Sequence, residues 1–171
     1  MSMPRIAAIH YAKGKVARPV LEAFVTELKA RGVSVHGLFQ EILWDENGER
    51  QGTDAIDIRT QERIPLKRPS PYERNNRVCS LSLSKLAEAT MILRRGLDEN
   101  ADVVVVERFG KAERDGGGLA DDLLALMSNG TPTMITVPDA ELEAWQEFSG
   151  NLGDVVDCDV DALLAWWDQT A

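Results

Sequence analysis

The stretch "DVVVVERFGKAERDGGGL", residues 102–119, places four consecutive valines directly before a charged cluster and three glycines. β-Branched residues that do not alternate with polar ones are typical of a strand buried on both faces of a parallel sheet. We therefore predict that residues 103–106 form a central parallel strand, with Glu107 at its carboxyl end. Ligands of open α/β sheets bind at this edge, so the charged cluster is a candidate site.

Strand and helix patterns alternate on both sides of this stretch. Residues 43–68 differ, because an Asn-Gly turn signal and an alternating polar pattern predict antiparallel hairpins there. The predicted fold class is a three-layer α/β sandwich with a mainly parallel central sheet, in a single domain over residues 1–171 with an antiparallel hairpin insertion at about 43–68. The other predicted strands are residues 5–11, 33–40, 133–138 and 154–158, and the predicted helices run from Pro19 to a cap at Gly32, over 85–97, 118–129 and 139–149, and onward from a cap at Asp159.

The composition limits the classes of partner. A net charge of −9 disfavours sequence-independent binding to nucleic acid or to an anionic membrane, since such binding depends on neutralising phosphate. No apolar run has the length of a membrane-spanning helix, and we expect a cytoplasmic protein. Cys79 and Cys158 stand far apart and are predicted to be buried free thiols rather than a disulfide or zinc ligands.

The loop "HYAKGKVARP", residues 10–19, is the first candidate site. Lys13, Gly14, Lys15 and Arg18 stand beside the start of a predicted helix, where free amides and the helix dipole favour an oxyanion. A true P-loop needs two glycines five residues apart and a hydroxyl after the lysine, whereas Val16 follows here. The residues therefore leave two interpretations open, an oxyanion or nucleotide site and an ordinary solvated loop.

The charged cluster after the valines is the second candidate. Glu107 stands where a carboxylate could hold a magnesium ion through water. The alternative is a surface network in which Arg108, Lys111 and Arg114 pair with the neighbouring carboxylates, with little energetic value. Gly116 to Gly118 could form an anion-binding nest or supply slack to a loop, and we favour slack because acidic residues already occupy the first turn of the next helix.

Several motifs resemble one bacterial family of unknown function. "RFGKAERDGGGL", "GLFQ" at residues 37–40, "CSL" at 79–81 and "ALLAWW" at 162–167 resemble the motifs of domain of unknown function 2478. That family is similar to small P-loop nucleoside triphosphatases whose second phosphate motif reads Asp-Glu-x-Gly-Lys-x-Glu. "ERFGKAE" keeps Gly110, Lys111 and Glu113 of that motif, has Glu107 for the aspartate, and has Arg108 where the catalytic glutamate would stand.

The resemblance implies a degenerate P-loop-like protein that binds a nucleotide or another oxyanion with little or no hydrolysis. Lys15 and Arg18 would contact phosphate, and Arg108 would neutralise it, which favours binding over turnover. Glu107 would hold magnesium if it accompanies a nucleotide, and Lys111 would stabilise charge between loops 11–18 and 107–118. Residues 50–77, with seven basic side chains against four acidic ones, would close over the anion. The alternatives are a protein-interaction or accessory module, linked to molybdenum or nitrogenase, and a slow magnesium-dependent nucleoside triphosphatase.

Overall fold

The structure is a computed structural model that describes residues 5–77 and 81–170. A single seven-stranded mixed sheet organises it, with the strand order β4-β3-β2-β5-β6-β1-β7. The strands are β1 (Ile6–Tyr11), β2 (Val35–Trp44), β3 (Arg50–Asp57), β4 (Arg63–Lys67), β5 (Val103–Glu107), β6 (Thr133–Pro138) and β7 (Asp154–Asp157). The predicted thiol at Cys79 lies outside the described residues, and Cys158 is only partly buried rather than buried as predicted.

The valine stretch forms the middle of this sheet. Strand β5 pairs in parallel with β2 on one side and with β6 on the other, and its four valines are fully buried. Because β5 is hydrogen-bonded to a strand on each side, its backbone polar groups have partners, and apolar side chains can cover both of its faces. The prediction of a central parallel strand is confirmed.

The predicted antiparallel hairpins are also confirmed. β2 pairs with β3 and β3 pairs with β4, both antiparallel. The first of these hairpins turns at Gly48, whose amide donates to the carbonyl of Asp45 (3.0 Å). Because β2 continues past its parallel pairing with β5 as far as Trp44, the hairpins extend the main sheet.

Helices cover both faces of the sheet, which gives the predicted three layers. Two helices pack on the face that carries Ala7, Ile9 and Val105, and three others pack on the face that carries Ala8 and Val106. None of the helices within 5–77 and 81–170 is both long enough and apolar enough to cross a membrane. The helices on the face of Ala7 are α1 (Arg18–Ala30) and α7 (Val160–Thr170). Those on the face of Ala8 are α3 (Leu83–Asp98), α5 (Ala120–Asn129) and α6 (Leu142–Ser149), and a 3-10 turn (Asp139–Glu141) precedes α6.

Two short helices occupy segments for which the sequence predicted no helix. They are α2 (Pro71–Asn75) and α4 (Lys111–Arg114). Ser70 accepts from the Glu73 amide, and Glu73 accepts from the Ser70 amide in return. This reciprocal cap satisfies two amides that a turn would leave free, so a proline-rich segment forms a helical turn.

One glycine in β2 is required by the packing of two strands. Gly37 has a φ of +126°, and a Cβ at this position would lie 1.8 Å from the carbonyl oxygen of Val105 on β5. Ordinary residues rarely adopt such a φ, and no side chain could tolerate that approach to backbone. The pairing of β2 with β5 therefore depends on this glycine.

We expect Gly37→Ala to lower the free energy of unfolding by more than about 2 kcal/mol, because both the backbone conformation and the contact with Val105 oppose a methyl group. Urea denaturation measures this change. Gly48→Ala is the matched control, since Gly48 also has a positive φ (+76°) but no heavy atom within 4 Å of its Cβ position. Equal losses in the two variants would contradict the assignment of a steric role to Gly37.

Candidate functional site

The carboxyl ends of β1, β2 and β5 surround a cavity of about 380 Å³. It contains Lys15, Arg18, Glu107 and Arg108, so four of the residues predicted from the two separate loops lie together. The cavity has a mixed character, with charged groups beside aromatic and aliphatic surface. Its other lining residues are Tyr11, Val16, Ala17, Gln40, Glu41, Ile42 and Trp44.

Arg18 and Glu107 form an ion pair at the base of this cavity. Nε and Nη2 of Arg18 lie 2.8 and 2.7 Å from Oε2 of Glu107, and the backbone amide of Gln40 donates to the same oxygen (3.0 Å). Arg18 also stacks over Phe39, with its Cζ 4.6 Å from the ring centroid. Both side chains are largely buried, at 16% and 12% exposure, so each charge needs the other as its partner.

Burial raises the pKa of Glu107 above its ordinary value, while Arg18 and the Gln40 amide oppose that rise. Glu107 thus has one oxygen engaged by three donors and its charge matched by a neighbouring guanidinium. Magnesium sites in nucleotide-binding proteins use carboxylates together with a hydroxyl and phosphate oxygens. Among the described residues no group of three His, Cys, Asp or Glu side chains could hold a metal ion. Val16 stands in place of the hydroxyl residue, and the carboxylate of Glu107 is already paired with Arg18.

Arg108 lies one residue beyond β5 and reaches two cavities. It lines the cavity of about 380 Å³ and also a neighbouring one of about 210 Å³. Its charge opposes the rise that burial causes in the pKa of Tyr11. Partial burial, and then the proximity of Arg108, lower the pKa of Arg50. Within 5–77 and 81–170, neither Arg108 nor Arg50 makes an ion pair.

The other predicted site residues are distributed differently. Lys13 and Gly14 are exposed in the turn after β1 and line neither cavity, and Gly14 has a φ of +82°. Lys111 lines the smaller cavity rather than the one that contains Lys15. The space predicted between the two loops is thus two cavities that share Arg108 and Gln40.

The basic segment 50–77 is partly neutralised by carboxylates inside and outside the segment. Arg63 and Arg68 both pair with the buried Asp54, and Arg59 donates to Glu99 (2.6 Å). Arg50 and Lys67 are the basic residues of the segment that line the smaller cavity. The sequence could not single these two out, because the choice depends on the strand register of the hairpin.

Glu113 is buried and supports the loop after β5, so it does not take part in the surface network that the sequence left open as an alternative. Its carboxylate accepts from the amides of Gly110 (3.1 Å) and Leu119 (3.4 Å), and burial raises its pKa. A Cβ at Gly118 would lie 1.9 Å from Oε2 of Glu113, so this glycine makes room for the carboxylate rather than supplying slack. Arg114 donates to Glu141 (2.9 and 3.0 Å), and its Nε lies 3.8 Å from Oδ1 of Asp115, which is one of the surface pairs of that alternative.

His10 lies partly exposed near the end of β1. Its Nδ1 is 3.0 Å from Oδ1 of Asp139, and its Nε2 is 2.7 Å from Oδ1 of Asp157. These bonds, first that with Asp157, raise the pKa of His10. The two carboxylates follow β6 and end β7, the neighbours of β1, and the sequence alone did not indicate that they meet.

We expect Arg18→Met to lower the free energy of unfolding by about 3 kcal/mol at neutral pH, because it leaves the buried Glu107 charge without its partner. The pKa of Glu107 in the folded state would then rise further above its value in the unfolded chain. The folded state would hold a proton that the unfolded state has released, so stability would fall as pH rises and the loss would shrink at acidic pH.

Urea denaturation at acidic and neutral pH measures this effect. Arg31→Met is a matched control, since Arg31 pairs with Glu27 and Asp168 at the surface, where such pairs contribute less than about 1 kcal/mol. A loss for Arg18→Met that does not depend on pH would show that Glu107 is not its cause.

Comparison with known proteins places the chain in a family. The model of the family described as "Protein of unknown function (DUF2478)" matches residues 6–166. The chain is also 30% identical over 167 residues to the "Molybdenum import ATP-binding protein ModC 2" of Bradyrhizobium diazoefficiens. That match covers 98% of this chain but 18% of the relative, so the chain spans less than one fifth of the relative's length.

No solved structure matches the chain. The mainly parallel sheet with its antiparallel extension is of the kind that the resemblance to P-loop nucleoside triphosphatases implied. The family match extends from the first strand into the last helix, and so includes both cavities. The chain therefore belongs to the family of proteins of unknown function designated DUF2478.

Proposed function

We propose that this protein binds a small anion, a nucleotide or another oxyanion, in the cavity of about 380 Å³ and hydrolyses it little or not at all. The observation that carries the proposal is Arg108, a partly buried cation in that cavity that makes no ion pair with any residue in 5–77 or 81–170. A desolvated guanidinium is stabilised by a carboxylate or a phosphate. In a chain of net charge −9, carboxylates are in excess over cations, so the lack of an ion pair at Arg108 supports the presence of an anionic ligand.

The rest of the cavity is compatible with such a ligand. Its volume lies near the lower end of the roughly 300–1,000 Å³ range of small-molecule sites. Lys15 is exposed at its edge and supplies a second positive charge. Tyr11 and the 62% exposed Trp44 supply aromatic surface for the less polar part of a ligand. Lys13 and Gly14, outside the lining, would contact only the part of a ligand that projects from the cavity.

Two features of the cavity support binding without turnover. Oε2 of Glu107 already accepts from Arg18 and from the Gln40 amide, so this oxygen is not available to take a proton from water. Arg108 occupies the position at which the resembling triphosphatases have a catalytic glutamate, and a guanidinium cannot act as a base. The slow magnesium-dependent triphosphatase is therefore the less favoured candidate.

The similarity to a protein named for molybdenum import and ATP binding supports nucleotides and molybdenum oxyanions as the first ligands to test. The same match favours one alternative function. Because the chain corresponds to 18% of a longer protein, it could serve as an accessory module that works with an ATP-binding partner. In that case its acidic helices would contact protein and the cavity would not need a ligand.

Calorimetric titration with ATP, GTP, molybdate and phosphate tests the proposal. We expect saturable heat with at least one of them, and a Kd about ten-fold weaker in Arg108→Ala and in Lys15→Ala, since each removes a charge-assisted contact. Arg5→Ala is the control, because Arg5 is exposed at the start of β1, on the opposite edge of the sheet. Absence of heat with all four ligands would contradict the proposal and favour the accessory module.

The same samples test hydrolysis. We expect phosphate release from ATP and GTP with magnesium to equal that of a protein-free blank, because Glu107 is paired with Arg18 and Arg108 stands where the catalytic base would be. Release that requires magnesium and disappears in Glu107→Ala would instead establish a triphosphatase. Circular dichroism of the Glu107 variant must match that of the parent protein for this comparison to hold.

A further inference from the structure

The smaller cavity, of about 210 Å³, lies between the β3–β4 hairpin, α3 and the loop that contains α4. It shares only Arg108 and Gln40 with the larger one. Its lining divides into two parts, a charged rim and an apolar floor. The rim consists of Arg50, Lys67, Arg108 and Lys111, and the floor consists mainly of Leu38, Leu66, Leu81, Leu86, Ala89 and Leu119.

The rim has an excess of positive charge. Among residues 5–77 and 81–170, none forms an ion pair with any of the four rim cations. Glu113 is the one carboxylate in the described lining, and its oxygens accept from the amides of Gly110 and Leu119. The charges of Arg108 and Lys67 reach it, since both oppose the rise that burial causes in its pKa. One shared carboxylate cannot neutralise four cations.

The floor is apolar. Leu81 and Leu86 are partly buried and supply its accessible surface, whereas Leu38 and Ala89 have 0% exposure and Leu66 and Leu119 have 5% and 3%. An inorganic oxyanion would contact the rim and leave Leu81 and Leu86 uncovered. A cavity of about 150 Å³ with aliphatic walls is large enough to hold benzene, so about 210 Å³ holds a single ring with a charged group attached.

We propose that this second cavity binds a phosphate monoester whose apolar body is about the size of one ring. The phosphate lies against Arg50, Lys67, Arg108 and Lys111, and the body covers the leucine floor. Four cations favour a phosphate with two negative charges over a carboxylate with one, because the doubly charged group interacts more strongly with each guanidinium and ammonium group. Burial of the apolar body supplies the affinity that an inorganic ion lacks.

Phenyl phosphate is the probe for this proposal, with benzoate, inorganic phosphate and phenol as comparisons. By calorimetry we expect phenyl phosphate to bind at least ten-fold more tightly than each of the other three. Benzoate lacks the second negative charge, inorganic phosphate lacks the ring, and phenol lacks a charged group. An affinity for inorganic phosphate or benzoate equal to that for phenyl phosphate would overturn the proposal.

Variants locate the site. Lys67→Met and Lys111→Met should each weaken phenyl phosphate about ten-fold, through loss of a charge-assisted contact. Leu86→Gln should weaken phenyl phosphate about five-fold and leave phosphate unaffected, since it makes the floor polar. Unchanged affinity in both lysine variants, with circular dichroism equal to that of the parent, would overturn the assignment.

A further pair of variants separates this inference from the proposed function. Lys15→Met should reduce binding at the larger cavity and leave phenyl phosphate unaffected, since Lys15 does not line the smaller cavity. Arg5→Met should change neither. Loss of phenyl phosphate binding in Lys15→Met would place the probe in the larger cavity and contradict the second site.

Discussion

The ion pair between Arg18 and Glu107 fixes the relative positions of α1 and β5 at the carboxyl edge of the sheet. It joins the first turn of α1 to the end of the central strand, and the Gln40 amide adds β2 to the same oxygen. Three segments that are distant in sequence therefore meet at one atom. Because separating two nearly buried charges is costly, their relative positions are fixed before any ligand arrives, and the cavity above them is preorganised.

The position of Arg108, the residue after Glu107, follows from this ion pair. Glu107 is held toward α1, and the chain then leaves the strand, so that Arg108 stands between the two cavities. The loop beyond it returns over the buried Glu113, whose contacts with Gly110 and Leu119 hold the position of α4 and Lys111. At this strand end the charge of Glu107 is neutralised by Arg18, whereas Arg108 has no ion-pair partner among residues 5–77 and 81–170.

The sequence predicted those features that depend on local patterns. The valines identify a doubly covered strand, Gly130 and Gly150 end their helices in the left-handed conformation, and an Asn-Gly pair turns the first hairpin. These signals lie within a few residues of the structure they determine. The predicted meeting of the two loops at one sheet edge also follows from a general rule for parallel strands.

The sequence could not predict which charged residues pair with one another. Arg18 and Glu107 are 89 positions apart, and each was predicted to contact a ligand or a metal rather than the other. Arg50 and Lys67 join a cavity because of hairpin register, whereas Arg63 and Arg68 in the same segment turn to Asp54. Such choices depend on side-chain directions in three dimensions, and a count of charges along the chain does not contain them.

The carboxylates around His10 restrict the chemistry available at the far side of the same edge. Asp139 and Asp157 accept hydrogen bonds, so simultaneous bonds to both ring nitrogens require the imidazolium form. An imidazolium has no nitrogen lone pair. His10 therefore cannot take a proton from a substrate or ligate a metal ion while both aspartates hold it, and it acts instead as a positive bridge between the segments that follow β6 and β7.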